Sequence, residues 1–243
     1  MLTSAVLGLV GAALGGSLPW WFDRLPDEWL TEYGERPTKE VVERPRIERR
    51  WAAPLAAALA VVGYVGGMQM PASEAFFALV GAAILFAVIA SDLLYTIVPD
   101  QAVLALIGVG AAAAVFRGWS ADAVLPTLGS ALVGGLVGAM VLAAVAFIGS
   151  RVAGREAMGM GDVKLAAAMG VVLGFPQIVT ALVIAVLVAG VWFGVLMFTR
   201  RLERGDAAPF GPFLASATLI TILASDPIRT FVDWYVSLLG GGS

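Results

Sequence analysis

The chain has 243 residues, of which 60% are hydrophobic and only 14% are charged, and its formal net charge is −3. A soluble core cannot hold so large an apolar surface, so the composition excludes a soluble globular protein and indicates a single polytopic membrane domain. The absence of cysteine and histidine excludes disulfides, thiolate or imidazole metal sites, cysteine nucleophiles and serine–histidine relays, and the clustered basic residues leave no nucleic-acid footprint.

Apolar runs divide the chain into helical segments. Residues 1–22 form the first predicted transmembrane helix, because this run lacks the basic start and the cleavage site of a signal peptide. Residues 23–51 are rich in Arg, Glu and Pro and are predicted to form a charged cytoplasmic loop. Residues 52–224 hold seven further segments, so the fold class is all-α, a polytopic bundle of about eight transmembrane helices. Those segments lie at 52–70, 72–98, 100–116, 122–149, 163–174, 176–199 and 207–224.

The C-terminal residues 225–243 are predicted to lie outside the transmembrane bundle. They are short, aromatic and amphipathic, which favours a helix lying at the membrane interface over a ninth span. The closing Gly-Gly-Gly-Ser resembles a remnant of an expression tag.

The distribution of basic residues predicts the orientation. The loop at 23–51 holds seven Lys and Arg residues, the linker at 150–164 holds three and the stretch at 200–204 holds three, whereas the alternate connections hold almost none. Because positive charge accumulates on the cytoplasmic side, the N-terminus is expected outside the cell membrane and these three loops inside.

Two aspartates lie where a membrane protein rarely places a charge. Asp92 is about six residues, roughly 9 Å, inside the predicted end of its helix near Pro99. Asp162 opens a segment of only about 18 Å, which is too short to cross the membrane, so it is expected below the cytoplasmic surface, on a partly re-entrant loop. Non-helical backbone at that depth must face protein or a water-filled cavity, in which the two carboxylates could meet.

Such a pair has a chemistry of its own. An ionised Asp near the bilayer centre costs about 2.5–3.5 kcal/mol, and two neighbouring carboxylates can reduce this by sharing a proton. One then serves as general base for a water and the other as general acid, which is the chemistry of aspartyl proteases. The alternative is that each aspartate caps a helix or pairs separately with Lys164, Arg151 or Arg155 near the interface.

The neighbours of these aspartates carry further expectations. Gly159 and Gly161 flank Met160 and are expected to allow a close backbone approach at Asp162. GxxxG spacings indicate helix packing at Gly11/Gly15, Gly63/Gly67, Gly134/Gly138 and Gly190/Gly194.

Two charged residues near the aspartates are expected to serve structural roles. Lys164 is expected to extend to the lipid headgroups. Asp100, which follows Pro99, is expected to stabilise a helix start.

Three stretches together resemble the type IV prepilin peptidases, a family of GxGD-type intramembrane aspartyl proteases. They are SDLLYTIVPDQ, with Asp92 followed eight residues later by Asp100; GREAMGMGDVKLAAAMG, with Asp162; and APFGPFLA. The resemblance implies that Asp92 and Asp162 are the catalytic pair. It implies supporting roles, around the site and its substrate channel, for Gly159, Met160, Gly161, Lys164, Asp100, Pro209, Phe210, Gly211 and Pro212. Presenilin-like proteases also carry GxGD, but their Tyr-Asp and Pro-Ala-Leu motifs are absent.

The resemblance implies an endopeptidase of the bacterial cytoplasmic membrane, with residues 52–224 as the peptidase domain. Its expected partners are the lipid bilayer and prepilins or pseudopilins, whose basic leader it would remove on the cytoplasmic side. Many family members carry two CxxC pairs, thought to bind zinc, in the loop that matches residues 23–51. Without cysteine no zinc is expected, and N-methylation of the product, which would need S-adenosylmethionine, is not supported.

Two other functions remain open at the level of the sequence. The aspartates could carry protons or cations in a transporter, although no internal repeat is evident. The chain could also be a catalytically silent scaffold of pilus assembly. The oligomeric state is not predicted.

Overall fold

A computed structural model describes residues 1–30, 47, 49–120, 124–154, 158–199 and 209–224. Four predicted features lie outside the described residues: most of the charged loop, Arg155, the basic stretch at 200–204 and the interfacial helix at 225–243.

The described part of the chain is helical and contains no β-strand. Short 3-10 turns lie at Asp27–Leu30 and Arg49–Trp51. The eight α-helices are α1 Leu2–Phe22, α2 Ala52–Gln69, α3 Ala72–Tyr95, α4 Asp100–Ser120, α5 Val124–Ala153, α6 Met160–Leu173, α7 Gln177–Phe198 and α8 Gly211–Leu223.

Six of these helices, α1 to α5 and α7, are long and apolar enough to cross a membrane. The fold class is therefore confirmed as an all-α, multi-pass bundle, but the described helices include six candidate spans rather than about eight. The 14 residues of α6 extend about 21 Å, short of the 30 Å hydrocarbon, as expected from the sequence. The 13 described residues of α8 are also too few, because this helix begins at Gly211 rather than near residue 207.

Glycines let α1 and α2 pack backbone to backbone. A Cβ at Gly11 or Gly15 would collide with the α2 backbone at Leu59 or Leu55. Gly63 and Gly67 face α1 in the same way, and Ser4 at the start of α1 donates a hydrogen bond to the carbonyl of Gly67 at 3.2 Å. The packing expected of these GxxxG spacings is therefore present.

A second glycine contact joins α5 to α6. Gly134 meets the backbone of Gly170, and Gly138 meets the carbonyl of Ala166. The fourth GxxxG pair, Gly190 and Gly194 on α7, makes no such helix contact. Among the described residues, no neighbouring atom lies within 4 Å of the ideal Cβ position of either glycine.

The antiparallel register of α5 and α6 sets the depth of Asp162. Because Gly138 lies against Ala166, the same register continued by one turn places Asp162 level with Leu142. Leu142 is about 16 Å along the axis from Ala153, the last residue of α5, at 1.5 Å per residue. The start of α6 therefore lies about 16 Å short of the end of α5, and its depth in the membrane stays a prediction.

The apolar core buries the two helices that carry the aspartates. Side chains of α3 to α8 form its main cluster, in which Leu85, Leu106, Leu165 and Leu214 are fully buried. A smaller cluster docks the α1–α2 pair on α3. This burial of apolar side chains fixes the positions of the end of α3 and the start of α6, where the two aspartates lie.

Candidate active site

Asp92 lies in the last turn of α3 and is almost completely buried, with 4% of its surface exposed. The helix ends at Tyr95, so Asp92 is about 4.5 Å from its end rather than the predicted 9 Å. The cause is Thr96, which has a left-handed conformation (φ 54°, ψ 33°) and stops the helix before Pro99. The backbone N–H of Thr96 donates to the carbonyl of Asp92 at 2.9 Å.

The turn that follows is held by a buried hydroxyl. Ser91 is fully buried, and its Oγ donates a hydrogen bond to the carbonyl of Ile97 at 2.8 Å. Beyond it, the carbonyl of Pro99 accepts bonds from the first turn of α4. Ser91 was not among the site residues predicted from the sequence, although a hydroxyl beside an intramembrane carboxylate was a usable signal. The turn from Thr96 to Pro99 is thereby fixed relative to Asp92.

Asp162 lies in the first turn of α6 and is half-buried. It is close enough to Asp92 for the two carboxylate charges to interact. The start of α6 reaches this position because Gly161 packs on the α3–α4 turn. A Cβ at Gly161 would lie 3.1 Å from the Cβ of Val98, tighter than ordinary van der Waals contact. The expected close approach at Gly161 is therefore present.

The other glycine of the GxGD motif has no such role. Gly159 has φ −67° and ψ 147°, an extended conformation open to any residue. Among the described residues, the only atom near its ideal Cβ position is the backbone N of Gly161, at 4.0 Å. The expected close approach at Gly159 is not seen among the described residues and stays a prediction. Met160 between them has 65% of its surface exposed.

Lys164 forms an ion pair with Asp100, the first residue of α4. Its Nζ lies 2.9 Å from one carboxylate oxygen and 3.1 Å from the other, and both side chains are about one-third exposed. The expectation that Lys164 extends to the headgroups is therefore wrong. The reason is that α4 begins beside the first turn of α6, where a carboxylate lies within reach of the ammonium group. Arg151, another partner proposed for the aspartates, lies over the ring of Phe147 at 4.8 Å.

The start of α8 meets Asp92 directly. Pro209 and Phe210 precede the helix, and Pro212 near its first position has the fixed φ that favours a helix start. The backbone N–H of Gly211 faces the Asp92 carboxylate. A Cβ at Gly211 would lie 2.6 Å from Oδ2 of Asp92 and 3.1 Å from its Cγ, so only glycine fits here without displacing the carboxylate.

One oxygen of this carboxylate is left without a partner. Oδ2 of Asp92 is buried and has no hydrogen-bond partner among the described residues. A buried carboxylate oxygen without a donor costs free energy, which a shared proton or a bound water would recover. The arrangement suits a general base and a general acid acting on one water. Among the described residues, no group of three or more Asp or Glu side chains lies close enough together to hold a metal ion.

Comparison with known proteins shows a family that this region is similar to. Residues 79–195 match the family model described as the type IV leader peptidase family. The matched range contains Asp92 and Asp162, and the segment from Pro209 to Pro212 lies beyond it.

Individual relatives agree with the family match. A prepilin leader peptidase/N-methyltransferase of Xanthomonas campestris pv. campestris is 29% identical over 231 residues, which cover 93% of this chain and 74% of the relative. Proteins of the same description from Aeromonas salmonicida and Pseudomonas aeruginosa are 34% and 32% identical, over 61% and 58% of this chain. The matched region spans about half the length of these two relatives, 48% and 47%. No solved structure matches the chain significantly.

Proposed function

We propose that the chain is a protease of the type IV leader peptidase family and that it cleaves the basic cytoplasmic leader from type IV prepilins or pseudopilins within the membrane. Asp92 and Asp162 are the catalytic pair in this proposal. The observation that carries it is their arrangement. Asp92 is buried in the last turn of α3, and Asp162 lies in the first turn of α6, which packs on the α3–α4 turn through Gly161. Oδ2 of Asp92 is buried without a hydrogen-bond partner among the described residues.

The mechanism follows from two carboxylates that share one proton. The ionised carboxylate takes a proton from a water held between them, and that water attacks the scissile carbonyl. The protonated carboxylate hydrogen-bonds the carbonyl oxygen, stabilises the charge that develops there and later protonates the leaving amine. Neither step needs a metal ion. Either aspartate can begin as the base.

The location of the site supports a substrate that arrives from the cytoplasm. The basic residues of the loops predict that the ends of α1, α3 and α5 and the start of α6 lie on the cytoplasmic side of a bacterial inner membrane. The end of α1 and the end of α3 are on the same side, since Phe22 and Tyr95 stack with ring centroids 6.3 Å apart. A leader on that side would reach the aspartates without crossing the bilayer.

The relatives are described as N-methyltransferases as well as peptidases. We limit the proposal to cleavage, without zinc or S-adenosylmethionine, because the chain has no cysteine. A proton- or cation-coupled transporter is not favoured by the family match.

The test is co-expression of a prepilin with the wild-type chain and with Asp92→Asn and Asp162→Asn variants. Each variant should lose processing while remaining folded in the membrane, because an amide can neither accept nor donate the proton as required. Glu74→Gln, at the far end of α3, is the matched control and should process normally. Persistent processing by either Asn variant would contradict the proposed pair, and a folded wild type that cleaves no prepilin would favour a silent scaffold.

A further inference from the structure

The ion pair between Asp100 and Lys164 lies beside the aspartate pair without being part of it. It joins the first residue of α4 to the second turn of α6, across 64 residues of sequence, with Nζ to Oδ distances of 2.9 and 3.1 Å. Because both side chains are about one-third exposed, a contribution to stability alone would be small. The position of the ion pair beside Asp162 indicates a role in placing that residue.

Two contacts hold the start of α6 on the α3–α4 turn, and they bracket Asp162. The residue before it, Gly161, packs on Val98, and the residue two places after it, Lys164, binds Asp100. A single contact on one side would leave α6 free to pivot or slide about it. Two contacts, one apolar and one ionic, determine both the height and the rotation of the first turn.

The other end of this connection is rigid as far as Asp92. The Ser91 hydroxyl binds the carbonyl of Ile97, and the Thr96 N–H binds the carbonyl of Asp92 itself. A displacement of Asp100 is therefore transmitted through a short, hydrogen-bonded turn to the last turn of α3. The ion pair thus links the helix that carries Asp162 to the helix that follows the turn after Asp92.

From this arrangement we infer that Asp100 and Lys164 are positioning residues, whose ion pair keeps Asp92 and Asp162 at the separation required for one water to bridge them. The inference rests on the proposed function for its catalytic consequence. Its structural part, the separation of the two helix ends, stands independently of any activity.

The experiment compares Lys164→Met and Asp100→Asn, which break the pair, with Lys164→Arg, which keeps it. Breaking it should lower kcat about ten- to a hundredfold with little change in KM, because a misplacement of about 1 Å costs about a hundredfold in rate. Lys164→Arg should restore most of kcat. Glu74→Gln is the control, since the Arg117–Glu74 pair joins α4 to α3 at the ends of those helices opposite the aspartates, at 3.3 Å. If Lys164→Met fails to fold in detergent, Asp100→Asn carries the comparison.

A distance measurement separates this inference from the proposed function. The chain has no native cysteine, so spin labels at Leu93→Cys and Met160→Cys, both on exposed positions beside the aspartates, report the separation of the ends of α3 and α6. Breaking the ion pair should lengthen or broaden this distance distribution, and Lys164→Arg should not. An unchanged distribution overturns the inference, as does a changed one with normal kcat. If the wild type cleaves no prepilin but the distribution changes as expected, the proposed function fails and the positioning by the ion pair stands.

Discussion

Gly211 at the start of α8 packs against the carboxylate of Asp92 at the end of α3, so closely that a Cβ at position 211 would lie 2.6 Å from Oδ2. Three separate helix ends therefore meet at the site: the end of α3 and the starts of α6 and α8. The Pro-Phe-Gly-Pro stretch, more than a hundred residues from Asp92 in sequence, is part of the same centre.

Replacement of Gly211 by Ala should abolish most cleavage while leaving the protein folded. The new methyl group must push the Asp92 side chain aside, and a carboxylate moved by about 1 Å loses about a hundredfold in rate. The measurement is kcat/KM of purified variants together with their unfolding temperature. Gly194→Ala on α7 is the control. The added Cβ would have no described neighbouring atom within 4 Å, so this variant should cleave normally. Equal activity of the two variants would contradict the close packing at Asp92.

The two glycines of the GxGD motif should differ in their tolerance of substitution. Gly161→Ala forces its Cβ to 3.1 Å from Val98 and should displace α6, lowering kcat by about tenfold or more. Gly159→Ala adds a Cβ into open space at an ordinary φ and should retain activity. Parallel kinetics on both variants provide the measurement. A Gly159→Ala enzyme as impaired as Gly161→Ala would show that a Cβ at position 159 obstructs the substrate instead.

Removal of the Ser91 hydroxyl should affect activity more than stability. Ser91→Ala loses the 2.8 Å hydrogen bond to Ile97 and should reduce the free energy of unfolding by about 1 kcal/mol. Ser4→Ala loses the comparable bond to Gly67, far from the aspartates, and should cost a similar free energy. Only Ser91→Ala should lower kcat, because it alone loosens the turn behind Asp92. Denaturation in detergent and cleavage kinetics together decide this, and equal kcat for both variants would be the contrary result.

The predicted orientation can be tested on the cysteine-free chain. Ser73→Cys, in the first turn of α3, should react from outside with a membrane-impermeant maleimide in intact cells stripped of their outer membrane. Thr199→Cys, after α7, should react only once the inner membrane is permeabilised. Both positions are exposed in the structure, so a failure to label reflects the membrane and not burial. The reversed pattern would place the aspartates on the outer side.

The sequence was informative where the physical reason is local. Residues 2–22 and 72–95 are apolar over the length of a membrane, so their helices were predictable, and α6 was recognisably too short to cross. Asp92 and Asp162 were identifiable because a charge at membrane depth needs a partner. The end of α3 was misplaced by three residues, because the left-handed Thr96 and the Ser91 bond depend on how the turn packs.

Contacts between segments far apart in the chain could not be predicted from the sequence. Lys164 looked like an interfacial lysine, and only the proximity of α4 to α6 made Asp100 its partner. Gly159 and Gly161 looked equivalent, and Val98 made them different. By itself the sequence determined the class of protein, the two candidate aspartates and their family resemblance, since composition, periodicity and motif are properties of short segments. The tertiary structure alone decided which residues surround those aspartates, because helix packing brings together side chains whose separation along the chain carries no information about their distance in space.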